Sequence, residues 1–516
     1  MTEGKLDPVT LSVLASALAG IAEEMGAVLI RGSYSSNIKE RRDCSTALFD
    51  AKGRMVAQAE HIPVHLGAMP EAVAAVMERD PEPGDVFAIN DPYSGGTHLP
   101  DITLVSPIAL GEAGDIIGYA VTRAHHSDVG GMRPGSAPSD SREIFQEGII
   151  IPPVRLVRSG EYVDGVLDLL LANVRTPSIR RGDLRAQIAA NQIAEIRIRE
   201  LVERRGRQTV LAAFDEVISY TERRTREVVR DLPDGEYSAE DFMEGDGTTD
   251  EDIPIRAKAV IDGDSMTIDF SGTADAVRGN VNCPLAVTRS ACYFALRVLL
   301  PGDIPANAGT YAPLDITAPE GSLVNAQSPS AVVAGNVETS SRIADTVLSA
   351  LSGAATLPAQ GQGTMNNLVI GGPSWTYYET IGGGQGASEK RPGPSGVHVG
   401  MSNTLNTPTE AFELEYPMRV ERYELLYGSG GDGEHRGGDG IVRSVRVLEP
   451  ASLSLLTDRR RHGPSGLEGG EPGRVGRNLL GDEELPPKVS REMEEGDIVT
   501  VETPGGGGYG RADDGS

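Results

Sequence analysis

The chain has 516 residues, more than one domain usually holds, so two or more domains are expected. Hydrophobic residues make up 39% and charged residues 24%, which is typical of a globular protein and excludes a disordered or fibrous one. The formal net charge of -28 argues against nucleic acid and anionic membranes as partners, because an acidic surface repels both.

The amino-terminal region, residues 1–235, is predicted to mix helices and strands. Asp7 and Pro8 predict the start of a first helix, because Asp caps free N–H groups and proline is preorganised at the first helical position. Leucines follow at helical spacing. Further elements are predicted near Ser45–Phe49 (strand), Pro70–Glu78 (helix), 84–153 (strands and loops) and 183–231 (helices divided or bent at Gly206).

A central region, 236–410, and a β-rich carboxyl-terminal region, 411–516, complete the predicted organisation. Two segments alternate around a short turn and predict a β-hairpin, Ala257–Ile261 with Ser265–Phe270. Helices are expected near Leu285–Leu300 and Glu338–Leu351, and short strands with glycine-rich turns after residue 410. The predicted fold class is α+β: a multidomain chain of mixed helices and largely antiparallel sheets with a β-rich carboxyl-terminal part.

The cysteines and the apolar segments bear on the cellular location. Cys44, Cys283 and Cys292 show no CxxC spacing and are too few for a disulfide framework, so reduced thiols are expected. The first residues lack the basic and apolar regions of a signal peptide. Apolar runs such as 149–153 are too short to span a bilayer. These features predict a cytoplasmic protein without a membrane partner.

Three of the eight histidines lie in one short segment, residues 98–126. The strands predicted on either side of a turn near residue 113 form an antiparallel hairpin in which Asp101 faces His125. His98 lies three residues before Asp101, on the incoming loop. Two imidazoles and one carboxylate are a common ligand set for Mn²⁺, Fe²⁺, Zn²⁺ or Co²⁺. The sequence therefore predicts a metal site of His98, Asp101 and His125.

His126 and Asp128 are the predicted catalytic residues beside this site. Neighbouring strand residues point to opposite faces, so only one of His125 and His126 can join Asp101. His125 fits the pairing, and His126 stays open as a supporting residue or as the ligand itself. Asp128 can orient an imidazole or act as a base. The alternative is that all five are hydrogen-bonded polar residues at a strand end.

Weaker candidates divide between functional and structural interpretations. A pocket-lining role and a solvated loop are equally plausible for the Arg142, Glu143 and Glu147 segment. Core or capping roles are favoured for His61 and His65 over a place near the site, and a nucleophilic Cys44 would need a base that the sequence does not identify. No GxxxxGK[ST] phosphate loop occurs, and the glycine runs 382–387 and 504–508 are interpreted as structural turns. The sequence therefore offers no recognisable ATP site.

The chain resembles the hydantoinase B/oxoprolinase family. The matching stretches run in order from about residue 5 to residue 510: ERRDCSTALFD, HIPVHLGAMP, NDPYSGGTHLPDITLVSP, AHHSDVGG, EIFQEGIIIPP, DFSGTADAVRGNVNCP, GNVETSSRIAD, NTPTEAFELEYPMRVERYELL, HRGGDGIVR and TPGGGGYG. Position 44 departs from the family, which is expected to have Phe or Ser there. The resemblance implies a hydantoinase A-type partner, in a hetero-oligomer, that binds ATP with Mg²⁺.

The resemblance also implies the site and the reaction. In acetone carboxylase relatives, this type of subunit holds a Mn-type metal through two histidines and an aspartate, and their elements match His98 with Asp101 and His125 with Asp128. The leading expectation is ATP-dependent opening of a cyclic amide such as a hydantoin, 5-oxoproline or a lactam. ATP-dependent carboxylation of a ketone and a non-catalytic scaffold for the ATP-binding subunit are the alternatives.

Overall fold

A computed structural model of the protein describes residues 6–111 and 114–512, apart from the side chain of Glu60. The first of its sheets has seven strands in the order β2-β1-β5-β4-β3-β6-β7, and every neighbouring pair is antiparallel. The strands are β1 (Cys44–Asp50), β2 (Met55–Glu60), β3 (Val86–Ile89), β4 (Asp101–Leu110), β5 (Asp115–His125), β6 (Val154–Arg158) and β7 (Glu161–Tyr162).

The helices include every helix that the sequence predicts. Asp7 caps the first one by accepting hydrogen bonds from the backbone of Val9 and Thr10. Gly206 adopts a φ of 85° and separates the two long helices on either side of it, as predicted. The helices are α1 (Pro8–Gly32), α2 (Ser36–Lys39), α3 (Met69–Met77), α4 (Asp164–Ala172), α5 (Pro177–Arg205), α6 (Arg207–Arg230), α7 (Leu285–Leu299), α8 (Ala308–Tyr311), α9 (Ser340–Leu351) and α10 (Thr409–Glu415).

Helix α1 corrects the expectation that the apolar segments of the chain are too short to span a bilayer. By length and composition alone it is long and apolar enough to cross a membrane, although its apolar run is interrupted by small and acidic residues. Its buried face includes Leu18, Met25 and Leu29, which join one hydrophobic core with residues of α5, β1 and β2. The helix therefore has the packing of a core helix, laid across the first sheet.

The second sheet lies in the predicted central region and has the order β11-β10-β9-β8. β9 and β10 form the predicted hairpin, with Asp262 paired to Ser265. β10 and β11 are parallel, whereas the other pairs of this sheet are antiparallel. The strands are β8 (Gly235–Glu244), β9 (Asp252–Asp262), β10 (Ser265–Asp269) and β11 (Leu314–Thr317).

Two further antiparallel sheets, in the orders β13-β12-β16-β19 and β14-β15-β20-β17-β18, enclose one hydrophobic core. Their strands are β12 (Asn367–Gly371), β13 (Thr376–Glu379), β14 (Met418–Leu426), β15 (Gly440–Val447), β16 (Ala451–Leu456), β17 (Arg477–Leu480), β18 (Glu483–Leu485), β19 (Lys488–Met493) and β20 (Ile498–Glu502). The first of the two sheets takes strands from both sides of the boundary predicted at residue 410, so that boundary does not separate the sheets. The mixed helices and largely antiparallel sheets confirm the α+β class.

The glycine runs, interpreted from the sequence as structural turns, form a close-packed bundle of irregular segments. Segment 504–508 lies at its centre, where the backbone of Gly506 hydrogen-bonds to Gly431 and Gly438 of a neighbouring segment. A Cβ placed on Gly506 would overlap the carbonyl oxygen of Gln385. The backbones therefore approach too closely for any side chain at such positions, which explains why glycine fills them.

We expect Gly506→Ala to lower the free energy of unfolding by about 1–3 kcal/mol, because overpacking a close-packed region forces the backbone to shift. The measurement is the midpoint of thermal unfolding. Gly302→Ala is the matched control, since no described atom beyond Gly302 and its two chain neighbours lies within 4 Å of a Cβ placed there. Equal midpoints for the two variants would contradict the close packing.

Candidate metal centre

The β4–β5 hairpin places the predicted site. The observed register pairs Asp101 with His125, as the sequence predicts. Residues 112 and 113, where the turn is predicted to centre, lie outside the described residues. His98 precedes β4 in the loop after a short 3₁₀ turn at Pro92–Ser94, and its carbonyl accepts a hydrogen bond from the backbone N–H of Asp101. The open end of the hairpin therefore carries all three side chains.

Three ligand-type atoms meet in a small triangle at this end. The distances are 3.0 Å from His98 Nε2 to Asp101 Oδ1, 3.1 Å from His125 Nδ1 to the same oxygen, and 3.1 Å between the two nitrogens. Two ligand atoms at about 2.1 Å from a metal and at right angles to each other lie about 3.0 Å apart. The spacing of the triangle therefore fits three neighbouring positions around one divalent ion. All three residues are at most 2% exposed.

Neighbouring groups restrain the side chains of Asp101 and His125. Thr97 donates a hydrogen bond from its hydroxyl to Asp101 Oδ2, which leaves Oδ1 facing the imidazoles. The ring of His125 stacks on Tyr378 of β13, with 4.3 Å between ring centroids. Its outward Nε2 is buried and has no hydrogen-bond partner among the described residues. The first and third sheets therefore meet at this site.

The protonation of Asp101 and His125 suits metal binding, whereas at His98 the metal would have to displace a proton. Burial by itself raises the pKa of Asp101, but His98 and hydrogen bonds from His125 and His65 outweigh it and hold the pKa well below its usual range. Burial lowers the pKa of His125, which favours the neutral imidazole that a metal requires. For His98, burial also opposes the charged form, but the Asp101 carboxylate outweighs it and raises the pKa.

His65 is a neighbour of the cluster that sequence reasoning ranked low. Its Nε2 lies 3.5 Å from Asp101 Oδ2, and its Nδ1 lies 3.0 Å from the Ser45 hydroxyl on β1. His65 therefore lies near the site, which the sequence analysis considered less favoured than a core or capping role. The favoured packing role suits His61, which contacts Gly26 of α1. Only the fold brings His65 to Asp101, and the second histidine of HIPVHL was the only signal in the sequence.

His126 and Asp128 have other partners. His126 points to the opposite face from His125 and places its Nε2 2.9 Å from Gln187 Oε1 on α5. Asp128 is fully buried and accepts hydrogen bonds from the backbone and the guanidinium of Arg175. It also accepts from backbone groups of the turn that follows it. The catalytic roles predicted for His126 and Asp128 stay predictions, without a hydrogen bond to the triangle in the described part of the chain.

The weaker candidates from the sequence differ in how far they are buried. Glu147 is fully buried, and burial raises its pKa to about 7, whereas Arg142 and Glu143 are exposed. Cys44 is buried at the start of β1, and burial raises the pKa of its thiol far above the usual range. A thiol in that state is a poor nucleophile, which agrees with the absence of an identifiable base in the sequence.

Comparisons with known proteins show which family the chain is related to. It matches the hydantoinase B/oxoprolinase family over residues 7–512. An uncharacterised protein of Methanocaldococcus jannaschii is 41% identical over 98% of this chain and 91% of its own length. A Pseudomonas protein named as the B component of a D-/L-hydantoinase is 34% identical over 98% of this chain and 90% of its own length.

One relative is much longer than this chain. 5-Oxoprolinase 1 of Arabidopsis thaliana is 40% identical over 99% of this chain, but the match covers only 42% of that protein. The chain therefore spans about two fifths of this relative and nearly all of the two shorter ones.

Solved structures agree with the family match. The ATP-dependent caprolactamase of Pseudomonas jessenii superimposes with a TM-score of 0.92 at 30% identity, over 98% of this chain and 92% of that chain. Nucleotide-free acetone carboxylase superimposes with a TM-score of 0.87 over 98% and 76% of the two chains, and its 19% identity shows the shared fold alone. The chain belongs to the hydantoinase B/oxoprolinase family.

Proposed function

We propose that the chain is the subunit of an ATP-dependent cyclic amidase that opens a hydantoin, 5-oxoproline or lactam ring. The observation that carries this proposal is the buried triangle of His98, Asp101 and His125, a ligand set for hydrolytic metal chemistry. The 30% identity with a caprolactamase supports the amidase in preference to ketone carboxylation, for which the likeness is one of fold.

The proposed partner is a hydantoinase A-type subunit that binds ATP with Mg²⁺, in a cytoplasmic hetero-oligomer. The sequence contains no GxxxxGK[ST] phosphate loop. The match covers less than half of the Arabidopsis relative, which leaves room there for a second, nucleotide-binding part in the same chain. A second subunit would supply the same part here.

The proposed cofactor is a divalent ion, Mn²⁺, Zn²⁺ or Fe²⁺, held by His98 Nε2, His125 Nδ1 and Asp101 Oδ1. When bound, such an ion polarises a carbonyl or lowers the pKa of a water molecule. The side chains of this protein keep the three ligand atoms converged: Thr97 and His65 restrain Asp101, and Tyr378 restrains the plane of His125. Burial of all three removes competing water from the ligand atoms.

The chemistry divides between the two subunits. An amide carbonyl is a poor electrophile, so the partner would transfer the γ-phosphoryl group of ATP to its oxygen. A first water would then add to the carbonyl carbon beside the proposed metal site, and the C–N bond of the ring would break to leave a protonated amine and an acyl phosphate. A second water would then add to the acyl carbon and displace phosphate, which leaves with the former carbonyl oxygen. Both oxygens of the new carboxylate therefore come from water.

We expect Asp101→Asn to bind the ion at least about 10-fold more weakly, because the amide loses the negative charge and presents a weaker oxygen ligand. Equilibrium dialysis against Mn²⁺ or Zn²⁺ with elemental analysis measures the loss. His462→Ala is the control, since this histidine is exposed and pairs with Asp252. Wild-type protein that retains no ion above the level of Asp101→Asn would refute the metal site.

Reconstitution with a hydantoinase A-type subunit, ATP and labelled bicarbonate tests the reaction. We expect hydantoin, 5-oxoproline or caprolactam to be opened with release of phosphate and without incorporation of label. Label in a product formed from a ketone would establish the carboxylase alternative instead.

The same assembled complex tests the scaffold alternative. We expect His98→Ala to lower turnover by about 100-fold or more, because the site loses one of its ligand atoms while the subunits still assemble. Turnover at the wild-type level in a folded, assembled His98→Ala complex would show that this chain is a scaffold.

A further inference from the structure

Glu147 is a buried carboxylate to which the proposed reaction assigns no role. It follows the 3₁₀ turn at Ile144–Gln146 and is fully buried. Its Oε1 accepts hydrogen bonds from the Ser141 hydroxyl at 2.9 Å and from the backbone N–H groups of Val332 and Val333 at 3.1 Å. Its Oε2 also accepts from Val332. Among the described residues it forms no ion pair, so backbone and hydroxyl donors are what balance this carboxylate.

The segment that Glu147 holds reaches the candidate metal centre. Val332 and Val333 lie far along the chain from Glu147, in the stretch before α9. The carbonyl oxygen of Val333 faces Nδ1 of His98 at 3.4 Å. The N–H of Val333 is therefore fixed by Glu147 while its carbonyl group meets the imidazole. The N–H and the carbonyl group of Val333 belong to adjacent peptide groups joined at its Cα. A shift of the segment therefore moves the carbonyl oxygen that faces His98.

Other contacts anchor this segment on both sides of the residues that Glu147 holds. After them, the carbonyl of Asn280 accepts hydrogen bonds from the N–H groups of Ala334 and Gly335. Tyr93 donates its hydroxyl to the carbonyl of Ser330, and Asn282 donates to the carbonyl of Ala331. Both accepting residues lie on the amino-terminal side of the two residues that Glu147 holds. The Val333 carbonyl that faces His98 therefore lies between two anchors, the Glu147 carboxylate before it and the Asn280 carbonyl after it.

We propose that Glu147 is a positioning residue for His98: it holds the Val333 carbonyl against Nδ1 and thereby keeps Nε2 turned toward Asp101 and His125. A hydrogen bond from Nδ1–H to a carbonyl oxygen leaves Nε2 with its lone pair free for a metal. The proposal rests on the metal site proposed above, and it adds a residue that acts through the backbone of Val333 and not through a hydrogen bond to a ligand side chain.

The test is Co²⁺ binding to the purified full chain, followed by the visible spectrum of the bound ion. In Glu147→Gln an amide NH₂ group replaces one accepting oxygen. This group cannot accept a hydrogen bond, so the N–H of Val332 or the hydroxyl of Ser141 loses its acceptor. We expect Co²⁺ to bind roughly 10- to 100-fold more weakly, the range typical of groups that orient a metal ligand. The spectrum of the remaining complex should also shift, because the orientation of His98 changes. A loss of overall packing alone would lower the unfolding temperature without moving the spectrum.

Glu143→Gln is the matched control, since it makes the same change at an exposed position nearby in the chain. Its Co²⁺ affinity and spectrum should equal those of the wild type. Equal affinity and an unchanged spectrum for Glu147→Gln would overturn the inference and leave the metal site standing, whereas wild-type protein that binds no Co²⁺ would overturn both. If Glu147→Gln fails to fold, Ser141→Ala removes one donor to the same oxygen, and an unchanged spectrum there overturns the inference.

Discussion

The candidate site depends on one buried carboxylate. Asp101 has imidazoles on both of its oxygens, His98 and His125 near Oδ1 and His65 near Oδ2, and it is almost fully excluded from solvent. A lone carboxylate in such a place would be strongly destabilising, so these partners are what allow it to stay ionised. The same arrangement keeps the imidazoles converged, because each of them loses its electrostatic contact with Asp101 if the carboxylate moves. Electrostatics and geometry are therefore set by one side chain.

Much of this arrangement follows from local sequence. Strand alternation and a short turn are enough to bring Asp101 opposite His125, since the register of a hairpin depends on its own residues. The cap at Asp7 and the break at Gly206 are predictable for the same reason: a single residue type dictates the backbone there. The family resemblance implies the same three ligands independently of the hairpin argument.

Other features depend on long-range packing and could not be read from the sequence. His65 and Tyr378 reach the site from separate parts of the chain, and no spacing rule connects them with Asp101. The glycine runs carry no side-chain pattern, so their assembly into a bundle depends on backbone contacts between distant segments. The sheet that joins β12 to β16 likewise pairs strands across the boundary predicted at residue 410. In each case the sequence does not indicate which distant segment of the chain packs against the residue or strand.

The convergence of three regions at one buried point limits how the site can work. The hairpin supplies Asp101 and His125, the stretch before α9 supplies the Val333 carbonyl, and β13 supplies Tyr378. Because the ligand residues are at most 2% exposed, a substrate can reach them only if one of these regions moves away from the other two. The hairpin is held in the middle of a seven-stranded sheet, where movement would break pairing on both sides. β13 is the edge strand of its sheet and pairs with β12 alone among the described strands, so it can move with loss of pairing on one side only.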